Sequence, residues 1–152
     1  MTIEPEQRVV SASELVNAPA ATIFELIADP ARQPEWDGNN NLTVAAPGQR
    51  VHQVGDVFEM TTTKGEVRSN RIVEFEEGRR IAWRPSAVGK PEPGHLWRWE
   101  LEPQADGATK VTHTYDWTEL TDPKRLDRAR WTTPDRLASS IKNLKTQAES
   151  LV

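Results

Sequence analysis

Two short stretches either side of a turn constrain this chain more than anything else in it. His95, Trp97, Trp99 and Leu101 sit two residues apart, and so do Val111, His113, Tyr115 and Trp117. Successive side chains of a strand leave on opposite faces, so each set shares one face. Ala105-Asp106-Gly107 between them reads as a hairpin turn. With Leu101 placed near Val111, Trp99 falls near His113 and Trp97 near Tyr115. The opposite face then carries Arg98, Glu100, Glu102, Thr112, Thr114 and Asp116, which water solvates readily. A sheet with one apolar, aromatic face has to be covered by something.

The flanking sequence supplies both more sheet and the cover. Arg8 to Val16 reads as a first strand, and Ala20 to Asp29 as a helix entered through Pro19, with Ile23, Phe24, Ile27 and Ala28 on one face. Pro34-Glu35-Trp36-Asp37-Gly38 and three Asn follow, as a helical turn and a loop. Period-two patterning predicts further strands at Leu42 to Ala46, Asp56 to Thr63, Val67 to Glu76 and Arg80 to Arg84, and places the hairpin strands at Leu96 to Glu102 and Thr109 to Thr118. Short Gly-rich separators between neighbours imply antiparallel pairing. Pro85 to Gly94 is too long for a tight turn and reads as a mobile rim. Thr121-Asp122-Pro123 suits the start of a short helix, and Thr133-Pro134-Asp135 combines a hydroxyl cap, Pro at the first position and an acid in the first turn. Beyond it Leu137, Ile141, Leu144, Ala148 and Leu151 form one apolar stripe over residues 134 to 150.

At 152 residues the chain has the size of one domain, read as spanning 1–152. Nineteen Lys and Arg against 23 Asp and Glu, with no dense basic run, argue against nucleic acid or an anionic membrane as the main partner. The absence of cysteine excludes disulfides and thiolate chemistry and suits a reducing cytoplasm. An acidic beginning and the lack of a long apolar run favour a cytoplasmic protein without integral membrane association. His52, His95 and His113 show no paired ligand spacing, so no metal is expected. No phosphate-cradling glycine loop or nucleophile elbow occurs, and no cofactor is expected.

Six tryptophans beside three Phe and one Tyr pose the functional question. Large aromatics fill many cores, which is the plain reading of any one of them. A strongly curved sheet and one helix do not close completely, however, and some rings then line a cavity in which a few polar groups orient a ligand. The expected wall comprises Trp97, Trp99, Tyr115 and Trp117 from the hairpin, with Trp83, Phe58, Met60 and Val73 from the other strands and Leu137 and Ile141 from the long helix. The expected polar members are His95, His113, Tyr115 and Arg71. His113 and Tyr115 are the candidates for acid/base chemistry, an imidazole that moves a proton and an O–H that polarises a carbonyl. Trp36 is expected to anchor its loop through the indole.

Several segments resemble one known group. They are Asn17-Ala18-Pro19-Ala20 before Phe24, Ala28-Asp29-Pro30 with Pro34-Glu35-Trp36-Asp37, Gly55-Asp56-Val57-Phe58, Trp97 to Pro103 with Gly107 and Val111, and Leu137 to Leu144. In order and spacing the chain resembles the START-like or Bet v 1-like (SRPBCC) superfamily, in its bacterial polyketide cyclase/dehydrase-like branch. The resemblance implies an α+β helix-grip fold, a curved antiparallel sheet of six or seven strands wrapped around a long C-terminal helix, with two short helices after the first strand. It also implies a cavity for a small hydrophobic molecule such as a lipid, sterol or aromatic polyketide. Members of that group include carriers, cyclases and chaperone-activating modules, so the resemblance leaves binding, catalysis and protein interaction open.

Overall fold

The computed structural model describes residues 6–37 and 42–152, and the three consecutive Asn of the expected loop lie outside the described residues. Its elements are β1 (Val9–Val16), α1 (Ala20–Ala28), β2 (Leu42–Val44), β3 (Val57–Thr62), β4 (Val67–Glu76), β5 (Arg80–Ala87), β6 (Leu96–Pro103), β7 (Thr109–Asp116), α2 (Leu126–Trp131) and α3 (Pro134–Ser150). Single 3-10 stretches occupy Pro30–Glu35 and Pro123–Arg125. All seven strands join one antiparallel sheet in the order β1-β7-β6-β5-β4-β3-β2. The sheet curves around α3, the helix-grip arrangement that the family resemblance implies.

The hairpin register is the expected one: Leu101 faces Val111, Trp99 faces His113 and Trp97 faces Tyr115. The stripe on α3 is buried at Leu137, Ile141, Leu144 and Ala148, while Leu151, expected to continue it, is exposed just past the helix end. Thr133 occupies the position before α3 in extended conformation, but its hydroxyl makes no capping bond, and the helix start is marked by Pro134 and the first-turn acid Asp135. Asp122 does cap its 3-10 turn, accepting the Lys124 N–H at 3.0 Å.

Two departures from the sequence reading have identifiable causes. In β4 the pairing with β5 shifts between Ile72 and Glu74, leaving Val73 as the extra residue of a β-bulge. A bulge reverses the parity of everything beyond it. Before it, Asn70 and Ile72 face inward; after it, Phe75 packs toward the core while Glu74 points out to meet Arg98 with a bidentate pair at 2.6 and 2.9 Å. Arg71, expected inside, therefore lies on the outer face, exposed and paired with Glu92 at 2.8 Å. The second departure is β5, which continues through Pro85 to Ala87. Proline is admitted there because β5 pairs with β6 only as far as Trp83 opposite Trp97.

The connection expected as a mobile rim is thereby shortened and fastened. Arg84 donates to the Gly94 carbonyl at 3.1 Å, and the Thr121 N–H reaches the Pro93 carbonyl at 3.4 Å. Gly94 has φ +117°, and a Cβ there would sit 2.1 Å from the Glu119 carbonyl oxygen. Only glycine fits between the two segments.

Candidate ligand cavity

Between the concave sheet face, the 3-10 turn at Pro30–Glu35 and the α2–α3 region lies a cavity of about 440 Å³. That volume falls within the ~300–1,000 Å³ typical of small-molecule sites. Of the residues expected to line it, Phe58, Met60, Trp83, His95, Trp97, Trp99, His113 and Tyr115 do so. Arg71 and Val73 do not, for the reason of the bulge. Trp117 and Leu137 pack with Leu120 and Ala129 in a separate apolar cluster, and Ile141 belongs to the main core. A depression of similar size, 470 Å³, on the outer sheet face is walled by Arg79, Arg80, Glu100, Glu102 and Lys110 with no aromatic side chain among its lining residues.

Alternation along β6 and β7 turns the wall into a continuous run of rings. Trp36 meets Trp99 edge-on at 5.3 Å, and Trp99 stacks on His113 at 3.7 Å and 12°. His113 stacks in turn toward Trp97 at 5.6 Å, Trp97 lies 4.4 Å from Tyr115, and Tyr115 lies 5.9 Å from His95. Phe58 of β3 and Trp83 of β5 form an edge-on pair at 5.5 Å across the intervening β4. Such stacked and edge-to-face pairs add to the apolar burial they share.

Trp36 reaches this run because its indole N–H donates to the Leu26 carbonyl at 2.7 Å, as Gln33 does to Ile27 at 2.9 Å. Both carbonyls belong to the last turn of α1, where no intrahelical donor remains for them. The expected indole anchor is thus present, and it also builds part of the cavity wall.

The polar members of the aromatic ladder, His95, His113 and Tyr115, are uncharged near neutral pH. His113 is buried, and its Nδ1 lies 3.0 Å from the Arg98 carbonyl, so Nδ1 carries the proton and Nε2 is left as an acceptor. Burial pushes its pKa down to about 3, against the smaller opposing effect of that bond. Burial likewise drives His95 to about 4, helped by the positive charges of Arg125, Arg68 and Arg84. The His95 Nδ1 atom is buried with no hydrogen-bond partner among the described residues. Tyr115 is pushed up to about 12 by burial, which keeps its O–H intact as a donor.

Sequence reasoning did not find the charged end of the cavity. Lys64 and Arg68 come from the β3–β4 hairpin, and Lys124, Arg125 and Arg128 from the 3-10 turn and α2, with Trp131 beside them. Arg128 and Arg136 lie on the Trp131 ring at 4.0 and 3.4 Å, clamping the indole at this edge. The spacing of Lys124, Arg125 and Arg128 on one helical face is the only local signal. Their approach to Lys64 and Arg68 is a tertiary fact.

A curved sheet gripping a long helix over an aromatic cavity is the architecture of the helix-grip proteins. The chain belongs to the family described as polyketide cyclase / dehydrase and lipid transport, whose model matches residues 7–149. It is 35% identical over 118 residues to an uncharacterised protein of Mycobacterium tuberculosis strain CDC 1551, and 32% identical over 116 residues to one of strain H37Rv. Each match covers 71% of this chain but 47% of the relative, so the chain spans about half the length of these relatives. Among solved structures, a Rhodobacter sphaeroides protein superposes with TM-score 0.68 at 16% identity, covering 99% of both chains. DynU16, a protein of the dynemicin biosynthetic locus, superposes with TM-score 0.67 at 19% identity over 95% of this chain and 48% of its own. The Aha1 dimer of Colwellia psychrerythraea gives TM-score 0.60 at 17% identity, covering 93% of this chain and 96% of its own. At these identities the structural likenesses establish the fold alone. Among the described residues, no helix is long and apolar enough to cross a membrane.

Proposed function

We propose that this protein binds a small, hydrophobic, ring-containing molecule in the 440 Å³ cavity. The observation that carries this reading is the ladder of rings from Trp36 to His95, whose imidazoles and phenol are neutral near pH 7. Flat faces of Trp97, Trp99 and Tyr115 suit stacking against a planar ligand, while Tyr115 O–H and His113 Nε2 offer one donor and one acceptor. Membership of a family described by lipid transport and polyketide chemistry supports the same reading. Titration of aromatic polyketides, flavonoids, sterols and fatty acids is expected to change tryptophan fluorescence for ring compounds most strongly. A panel in which no compound alters fluorescence or raises the melting temperature removes the proposal.

A second reading, cyclisation or dehydration of a polyketide-like substrate, is favoured by the placement of His113 and Tyr115 in one wall. An imidazole with a pKa of about 3 is a weak proton acceptor at neutral pH, so Tyr115 would polarise a carbonyl and His113 would accept a hydrogen bond rather than a proton. Turnover undiminished in both His113→Phe and Tyr115→Phe excludes it.

A further inference from the structure

The electrostatics of the cavity specify more than a ring. Among the described residues five cations line it, Lys64, Arg68, Lys124, Arg125 and Arg128, against two carboxylates, Glu66 and Asp37. This local excess of three positive charges stands in a chain whose formal net charge is -4. Some of the excess is offset. Glu66 holds Arg68 at 2.5 Å, Asp122 sits 3.6 Å from Arg125, and the negative charge of Asp37 acts on Arg128. Lys64 and Lys124, which are exposed at the opening, have no carboxylate within 4.0 Å among the described residues.

The second observation is independent of charge. The buried Nδ1 atom of His95 lacks a hydrogen-bond partner among the described residues, and its ring lies beside Tyr115 at the end of the aromatic ladder. Buried polar atoms in folded proteins are almost always bonded, so an orphaned one on a cavity-lining residue singles out this end of the ladder as polar demand left unmet by the protein. Arg125 lines the same cavity as His95 and Tyr115, and its positive charge bears on both.

We propose that the ligand is a ring compound bearing an anionic group, a carboxylate in its simplest form. Its rings lie on Trp97, Trp99 and Tyr115, and its anion lies at the basic end of the cavity, against the Arg125 guanidinium and the edge of the His95 ring. This rests on the small-molecule reading of the cavity. A guanidinium presents a fork of N–H donors matched to two carboxylate oxygens. Lys64 and Lys124 at the opening draw an anion inward from solution.

The test compares 1-pyrenebutanoate with 1-pyrenebutanol, which share rings and chain and differ in charge, by quenching of tryptophan fluorescence on the intact chain. The butanoate is expected to bind about tenfold more tightly, with the preference shrinking as salt is raised. Arg125→Gln and, separately, the charge reversal Lys124→Glu are expected to reduce that preference toward about twofold. His95→Phe, which keeps the ring beside Tyr115, is expected to weaken the butanoate alone. Arg130→Gln, a cation paired with Glu6 outside the cavity, serves as the control and keeps the full preference. Equal affinity for the two compounds, or a preference that survives all three cavity variants, overturns the anion assignment and leaves the ring-binding proposal standing. Binding of neither compound overturns both. Retention of the protein on phosphatidylserine vesicles, without any preference for soluble pyrenebutanoate, also overturns the assignment, because the basic rim then serves a membrane surface.

Discussion

Two buried imidazoles give the protein a pH dependence that its carboxylates do not share. The ordinary histidine value is 6.5, whereas the folded chain holds His113 near 3 and His95 near 4. Below 6.5 the unfolded chain takes up protons that the folded chain refuses, so this stability is full above 6.5 and is lost as pH falls toward those folded values. Each imidazole contributes a slope of up to about 1.4 kcal/mol per pH unit in that window. The lowered carboxyls Glu74, Glu77 and Glu92 lose their stabilisation only below their ordinary value of 4.5. Urea midpoints taken between about pH 7 and 5 are therefore expected to fall, and to fall less steeply in His113→Phe. Trp36→Phe is expected to cost about 1–3 kcal/mol, because the Leu26 carbonyl loses its donor inside the core, and chemical denaturation measures it directly. At this scale the hairpin residues were legible because β6 and β7 pair without interruption, so that parity alone placed Trp97, Trp99, His113 and Tyr115. Arg71 was misplaced by the same rule, since nothing in Arg71-Ile72-Val73-Glu74 announces the bulge that reverses it.

Elements carry their own vulnerabilities. Helix α3 buries Leu137, Ile141, Leu144 and Ala148 completely, and Leu144→Ala is expected to lower stability by about 2–5 kcal/mol through lost burial and an unfilled cavity. The connection from β5 to β6 is held at a point, the contact of Gly94 with the Glu119 backbone. Gly94→Ala is expected to cost roughly 2 kcal/mol or more by forcing the two backbones apart, and thermal melting detects it. Because His95 follows directly, the same substitution is expected to weaken ligand binding. Element type followed readily from period and turn residues. The extent of β5 did not, because Pro85 marks a strand end by every local rule and is accepted only where β6 has parted from it. The basic rim escaped the sequence for a related reason. Its two sources, residues 64–68 and 124–128, are remote along the chain and become one surface only when the sheet curls.

For the molecule as a whole, an occupied cavity links binding to folding. A ligand at about one hundred times its dissociation constant adds about 2.7 kcal/mol, which corresponds to roughly 5–10 °C in melting temperature for a chain of this size. Thermal scans across the ligand panel rank compounds on that scale. The sheet order has a further consequence, for synthesis. Among the described residues strand β1 has a single neighbour, β7, and Ser13 meets Thr112 although the two lie 99 positions apart in sequence. Emerging from the ribosome, β1 has no partner until nearly the whole sheet has followed it. Its inward side chains, Val16 among them, stay bare through most of translation. Distant pairing of this kind slows folding and prolongs exposure of sticky surface, so the interval between the birth of β1 and that of β7 is when the nascent chain most needs a chaperone's shelter.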